Sequence, residues 1–217
     1  MLTLLRFALS TALLLVCSNA YSGALYAVKQ TNVDTILVQI DPQSLQLTEI
    51  GPLKTGISGG GMAWDPVSQT LFMLSGTLTR AELFTVDLST GEASSVARIF
   101  TSRLNGIAYD CIRELIYAVD WDGGLLSIDP SSGAVLGGWG VSDPAGDHGF
   151  SGLAYDHYQD ILVGIRVEHE WDTMGEIVGD LYSIEWHIGG GKKLLYDNPQ
   201  PDFSAEGLAY DPENNLY

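Results

Sequence analysis

Seven side chains that could bind a ligand fall in three stretches, residues 120–124, 141–151 and 166–180, which interrupt an otherwise regular chain. Carboxylates, imidazoles and a guanidinium supply charge and hydrogen bonds, and an exposed indole supplies a stacking face. Together they suit a small polar or sugar-like ligand or a protein partner. The seven residues are Asp120, Asp122, Asp147, His148, Arg166, His169 and Trp171.

The chain lacks the sequence signatures of common catalytic sites. It has no Gly-x-Ser-x-Gly elbow, no His-Glu-x-x-His motif, no Cys-x-x-Cys pair and no dinucleotide-binding glycine fingerprint. No activated nucleophile or paired general base accompanies the seven residues. The sequence therefore predicts binding without turnover, and no catalytic residue is assigned.

Residues 120–124, Asp-Trp-Asp-Gly-Gly, resemble the opening of a calcium loop. Calcium needs six to eight oxygen ligands, and Leu125 and Leu126 offer no side-chain oxygen. A tight hairpin with glycine at positive φ explains the stretch without a metal. We predict no cofactor, with a divalent ion such as calcium as the alternative.

A five-residue motif occurs four times, at intervals of about 45 to 55 residues. Gly, Ala and Asp occupy alternate positions and large residues lie between them, which is the alternation of a β-strand. One face of that strand is almost flat, so neighbouring sheets can approach closely there. The copies are Gly61–Asp65, Gly106–Asp110, Gly152–Asp156 and Gly207–Asp211.

Each copy opens a unit of four strands, which we call A, B, C and D in chain order. Strand C ends in an aspartate that begins a turn rich in Ser, Thr and Gly. The pattern predicts an all-β propeller of four-stranded antiparallel blades, with about four blades present. Within a domain of 21–217, the predicted units are a partial blade at 24–53, blades at 57–99, 104–140 and 150–196, and a fifth that begins at 204.

The sequence Gly-x-Ala-Tyr-Asp, then Leu-Tyr-Ala-Val, then Leu-x-Ser-Ile-Asp-Pro-x-x-Gly, resembles the blades of secreted bacterial β-propellers. These are the YVTN-, NHL- and quinoprotein-like repeat groups, and the resemblance covers nearly all of 24–217. It implies the propeller architecture. It implies no single activity, because these repeats are structural and serve binding, scaffolding and several enzymatic functions.

A second candidate group precedes the glycine of each strand A. If strands A line the central axis, these side chains point at the mouth of the channel. Glu206 is similar to the acidic residue of gluconolactonase-like propellers, which implies a divalent ion at that place. The channel-mouth candidates are Asn105, Ser151 and Glu206.

The composition limits the class of partner. The chain has 217 residues and a formal net charge of −17. Nucleic acid and anionic membranes are poor partners for such an acidic surface, because phosphate binding needs clustered cations. We predict a soluble acidic protein.

The first twenty residues read as a signal peptide. Arg6 precedes the apolar stretch Phe7–Val16, and Ser18-Asn19-Ala20 offers a cleavage site before Tyr21. Ten apolar residues are too few to span a bilayer, so we expect no membrane insertion after cleavage and a secreted or periplasmic location.

The leading hypothesis is an exported, non-enzymatic propeller that binds its ligand or protein partner through irregular loops. The alternatives are a metal-dependent hydrolase of the lactonase type that uses Glu206, and a structural module of a larger surface protein. The B-type strand that begins at Leu216-Tyr217 favours a fragment of a longer protein, so we expect an open arc of blades.

Overall fold

A computed structural model describes residues 25–31, 33–54, 60–77, 80–99, 104–120, 123–140, 150–168, 178–185, 191–196 and 208. All regular secondary structure in these ranges consists of β-strands. None of their segments is a helix long and apolar enough to cross a membrane. The predicted signal peptide lies outside the described residues, and so does the predicted fifth blade except for Leu208.

Fifteen strands form four antiparallel sheets, and each sheet is built from strands consecutive in the chain. Sheet one contains β1 (Leu25–Gln30), β2 (Thr35–Ile40) and β3 (Leu47–Pro52). Sheet two contains β4 (Met62–Asp65), β5 (Thr70–Thr77), β6 (Arg80–Val86) and β7 (Ala93–Ile99). Sheet three contains β8 (Leu104–Asp110), β9 (Leu115–Asp120), β10 (Gly124–Ile128) and β11 (Val135–Gly140). Sheet four contains β12 (Phe150–Asp156), β13 (Ile161–Glu168), β14 (Val178–Glu185) and β15 (Gly191–Tyr196).

The four sheets form a four-bladed β-propeller, which confirms the predicted fold class. Strand A is β4 in sheet two, β8 in sheet three and β12 in sheet four. Strand D is the strand at the opposite edge of each sheet. Sheet one has three strands, of types B, C and D, as the sequence predicts. The expectation of an open arc depends on how 207–211 pairs, and of those residues only Leu208 is described.

The small residues of strand A let neighbouring blades approach closely, as predicted. A Cβ atom built on Gly106 would lie 2.9 Å from the carbonyl carbon of Gly152 in the next blade. A Cβ atom built on Gly61 would lie 2.6 Å from the carbonyl oxygen of Asn105. Both distances are shorter than real carbon contacts, so these positions require glycine.

The hydrophobic core lies between consecutive sheets. Leu37 of sheet one packs with Met73 and Phe84 of sheet two. Corresponding clusters join sheet two to sheet three and sheet three to sheet four. Face-to-face burial of apolar side chains therefore holds each blade to the next.

The two ends of the blades differ. A–B and C–D turns lie at one end, which we call the turn end, and B–C and D–A connections lie at the other, which we call the rim end. The A–B turns are uniform: residues 66–69, 111–114 and 157–160 each separate the two strands. The rim end has connections of unequal length, for example 121–123 against 169–177.

Candidate functional site

A β-bulge opens strand A in both sheet three and sheet four. Leu104 pairs with Asp120 and Gly106 with Val119, which leaves Asn105 as the extra residue. Phe150 pairs with Arg166 and Gly152 with Ile165, which leaves Ser151 as the extra residue in the same place. Two of the three channel-mouth candidates are thus bulge residues at the rim end. Bulges re-aim side chains and are frequent beside functional sites.

The same registers give Asp120 and Arg166 equivalent positions in neighbouring blades. Each pairs with the residue that precedes the bulge, at the rim end of a B strand. Ser75 holds the corresponding position of sheet two, since it follows Leu74, whose amide donates to Gly61. This position therefore holds a serine in sheet two, an acidic residue in sheet three and a basic residue in sheet four.

Asp120 also stabilises the hairpin that follows it. Its Oδ1 accepts a hydrogen bond from the amide of Gly124 at 2.5 Å. Gly123 has a φ of 79°, a backbone conformation that would be strained in a residue with a side chain. The predicted tight hairpin with glycine at positive φ is present at this point, and Asp120 has a structural task within it.

The bulge residues present their polar groups differently. The Ser151 side chain is buried, and its hydroxyl donates to the carbonyl of Ile165 at 3.5 Å. The Asn105 carbonyl accepts from the amide of Gly61 at 2.9 Å and so links two blades at the axis. The Nδ2 atom of Asn105 is buried and has no hydrogen-bond partner in the described part of the chain.

The remaining predicted site residues lie outside the described residues, and for Arg166 only the backbone is described. The lactonase alternative depends on Glu206, which is among them. Within the described ranges, no three His, Cys, Asp or Glu side chains come together as metal ligands. The undescribed candidates are Asp122, Asp147, His148, His169, Trp171 and Glu206.

The turn end carries a polar network that sequence reasoning missed. Asp110 is fully buried, and its Oδ1 accepts from the amides of Ile112 and Arg113 at 2.9 and 3.0 Å. Asp156 makes the same turn with the amides of Tyr158 and Gln159. The second oxygen of each carboxylate accepts from the side chain three residues later, Arg113 or Gln159. An Asp followed three residues later by a polar side chain is the signal that could have revealed it.

Arg113 extends this network across two blades. Its guanidinium donates two hydrogen bonds to Asp160 of the next A–B turn, both at 2.7 Å, and one to Asp110 at 2.8 Å. The hydroxyl of Tyr155 donates to Asp160 at 2.7 Å. Burial, and then this hydrogen bond, raise the pKa of Tyr155 above that of an ordinary phenol. These charges therefore satisfy one another.

His157 lies beside this network. It is buried, its ring lies 4.2 Å from that of Tyr158 between centroids, and burial lowers its pKa. A buried imidazole with a lowered pKa is mainly neutral near pH 7. It packs within the turn instead of offering a charge to a ligand.

The C–D turns use exposed aspartates in the same way. Asp129 accepts from the amides and hydroxyls of Ser131 and Ser132, and the Ser131 hydroxyl contributes most to lowering the pKa of Asp129 to about 2. Gly133 follows with a φ of 67°. Asp41 and Asp87 make the corresponding turns. These aspartates of the C–D turns therefore serve as turn caps.

No family model and no curated protein matches the chain. Among solved structures it is similar to a nidogen/laminin complex, with a TM-score of 0.57 and 16% identity over 89% of this chain and 66% of that one. It is also similar to TolB from Acinetobacter baumannii, with a TM-score of 0.53 and 11% identity over 83% of this chain. For the glutaminyl cyclase of Myxococcus xanthus the TM-score is 0.54 and the identity 15%, over 87% of this chain and 78% of that one.

These similarities concern the fold alone, because the identities are far below those of proteins that share a function. The chain spans 66% of the length of the first of these structures and 42% of the second. They agree with the β-propeller architecture that the sheet order shows.

Proposed function

We propose that this chain is an exported β-propeller that binds a small polar ligand or a protein partner at its rim end, without turnover. The observation that carries the proposal is the register of β9 and β13. It sets Asp120 and Arg166 at equivalent places in neighbouring blades, each beside a β-bulge. An acidic and a basic group held on rigid strands can orient a polar ligand by charge-assisted hydrogen bonds.

The contrast between the two ends supports the choice of the rim. At the turn end, uniform turns engage Asp110, Asp156 and Arg113 in hydrogen bonds within the protein. At the rim end, connection lengths depart from the repeat, and departures on a rigid scaffold are where binding groups concentrate.

The finer assignment rests on the sequence. The repeat resembles the YVTN-, NHL- and quinoprotein-like propellers of secreted bacterial proteins. The amino-terminal segment supports export to the periplasm or the medium. Within the rim, Trp171 would supply the stacking face for a sugar-like ligand, and His148 and His169 would supply further hydrogen bonds.

The test is binding of the labelled full-length protein to a glycan array, with and without a calcium chelator. We expect the Arg166→Ala and Trp171→Ala variants to lose binding to the glycans that retain the wild-type protein. Each has a matched control: Arg98→Ala removes an exposed arginine from an outer strand, and Tyr158→Ala removes an exposed aromatic ring from the turn end.

Equal loss in the controls, or unchanged binding in both rim variants, would show that the wrong end has been chosen. An absence of any retained glycan would exclude a carbohydrate ligand. Loss of binding with the chelator would favour the divalent-ion alternative over direct recognition by side chains.

A further inference from the structure

The network around Arg113 is a binding site for a guanidinium between two blades. The guanidinium lies between Asp110 of its own A–B turn and Asp160 of the next, and it donates to the hydroxyl of Tyr155 at 3.2 Å. The A–B turns 66–69, 111–114 and 157–160 are equal in length, so each member of this site has an equivalent one blade earlier, between sheets two and three.

Three of the four positions keep their chemistry in the earlier site. An aspartate again ends strand A of the first blade, Asp65, and a tyrosine again lies next to last in strand A of the second, Tyr109. A carboxylate again ends the second turn, where Glu114 has a φ of 55° against 56° for its counterpart. The fourth position differs, because Ser68 stands where Arg113 would be.

The carboxylate of Asp65 is held as in the occupied site. It is buried, and its Oδ1 accepts from the amide of Val67 at 2.8 Å. Its Oδ2 accepts from the hydroxyl of Ser68 at 2.5 Å, whereas the matching oxygen of Asp110 accepts from a guanidinium. The short serine side chain stays within its own turn and brings no positive charge.

Tyr109 and Glu114 complete the earlier site from sheet three. The ring of Tyr109 stacks on Phe72 of sheet two, with 6.0 Å between centroids. Burial, and then the charge of Asp65, raise the pKa of Tyr109, and the charge of Glu114 adds to this effect. Within the described ranges, neither Asp65 nor Glu114 forms an ion pair. Two carboxylates therefore act on one hydroxyl here without the cation of the later site.

We propose that this site, at the turn end between sheets two and three, binds an arginine side chain of a protein partner. The later site shows that two carboxylates and a tyrosine hydroxyl in this arrangement hold a guanidinium. Arginine is favoured over lysine, because a guanidinium can donate two parallel hydrogen bonds to one carboxylate, as Arg113 does to Asp160. Ser68 and Glu114 are exposed, so the site is open to a partner.

The surroundings also suit an arginine. Val67 is 56% exposed beside Ser68 and offers an apolar surface to the methylene stem of the side chain. The formal net charge of −17 attracts a cationic partner to the chain as a whole. The site lies at the opposite end of the propeller from the proposed rim site, so the two can be tested independently.

The first test is an NMR titration of the full-length protein at low salt with the capped peptide Gly-Arg-Gly. We expect saturable shifts of the Val67, Ser68 and Glu114 amides, smaller ones with the lysine analogue, and none with the uncharged citrulline analogue. Glu114→Gln should abolish the shifts. Glu92→Gln is the matched control: it removes the same charge from a turn-end glutamate that pairs with Lys54, and it should leave them unchanged.

No saturable shift with the arginine peptide, or shifts that survive Glu114→Gln, would overturn the proposal. Equal shifts with the lysine or citrulline peptide would overturn the assignment to arginine.

The second test fills the site from within the chain. Ser68→Arg supplies a guanidinium at the position that Arg113 holds in its own turn. We expect this variant to lose peptide binding and to unfold at a higher urea concentration, and the added change Glu114→Gln to remove that gain. Gln43→Arg is the control, since it adds the same charge at an exposed C–D turn and should bind the peptide as the wild type does.

Peptide binding by Ser68→Arg at wild-type affinity, or an equal gain in stability in Gln43→Arg, would contradict the site. Circular dichroism checks that every variant is folded.

Discussion

At the scale of single residues, Arg113 links two blades through one side chain. Its bonds to Asp110 and Asp160 join the A–B turns of sheets three and four. Asp110 is fully buried, so loss of the guanidinium leaves a carboxylate with backbone partners only. Loss of the Arg113 side chain should therefore lower the free energy of unfolding by more than loss of an ordinary surface ion pair does.

We expect Arg113→Ala to lower the free energy of unfolding by about 1–3 kcal/mol. The measurement is urea denaturation followed by tryptophan fluorescence. Arg98→Ala serves as the control, because Arg98 is 64% exposed and lies 3.8 Å from Glu82, and it should cost about 0–0.5 kcal/mol. Equal effects in the two variants would contradict the role given to Arg113.

Asp129 predicts a dependence of stability on pH. Hydrogen bonds from Ser131 and Ser132 lower its pKa from 3.8 to about 2, so the fold favours its charged form. A group whose pKa is lowered stabilises the fold above its unfolded pKa, and that contribution is lost as pH falls from about 4 to about 2. Unfolding midpoints in urea should therefore decline over this range.

Asp129→Asn should make that decline shallower, since the amide can cap the turn but does not titrate. Asp41 and Asp87, whose pKa values are also lowered, will maintain part of the slope. Asp34→Asn removes the same charge from a B–C connection and controls for net charge. An identical pH profile in wild type and Asp129→Asn would refute the assignment.

At the scale of elements, the spacing between inner strands depends on glycine. Gly106 of β8 faces Gly152 of β12 at a separation that leaves no room for a methyl group. Backbone cannot yield as a flexible side chain does, so the two sheets would have to move apart.

We expect Gly106→Ala to destabilise the protein by about 1–3 kcal/mol through overpacking, measured as a lower midpoint of thermal unfolding. Gly140→Ala is the matched control, because its Cβ would meet no atom within 4 Å. Its effect should stay within about 0.5 kcal/mol. A tolerated Gly106→Ala would mean that the inner strands are not packed as described.

At the scale of the whole molecule, acidic residues do two kinds of work. Some cap turns, as Asp110 and Asp156 do, and all of them contribute to the formal net charge of −17.

The proposed export of the protein predicts cleavage of its amino-terminal segment. In a bacterial host, we expect the protein recovered outside the cytoplasm to begin at Tyr21, as read by mass spectrometry of its amino-terminal peptide. Ala20→Arg should block cleavage and leave an uncut precursor, because the processing site needs a small residue there. Recovery of unprocessed wild-type chain from the cytoplasm alone would contradict export.

The sequence by itself determined the architecture. Alternation of small and large residues in Gly106–Asp110 predicts an inner strand, and an aspartate followed by Ser, Thr and Gly predicts the C–D turns at Asp87 and Asp129. Strand D of the predicted blade 57–99 is β7, Ala93–Ile99. These signals are local, because strand alternation and turn capping depend on residues a few positions apart.

Only the tertiary structure decided how the local pieces meet. The bulges at Asn105 and Ser151 are features of the register between strand A and strand B. The bonds from Arg113 to Asp160 join residues 47 apart in sequence. Such contacts depend on the packing of whole blades, which no short window of sequence encodes. The structure therefore separates the aspartates of the turn end from Asp120, which stabilises a hairpin at the rim end beside a bulge.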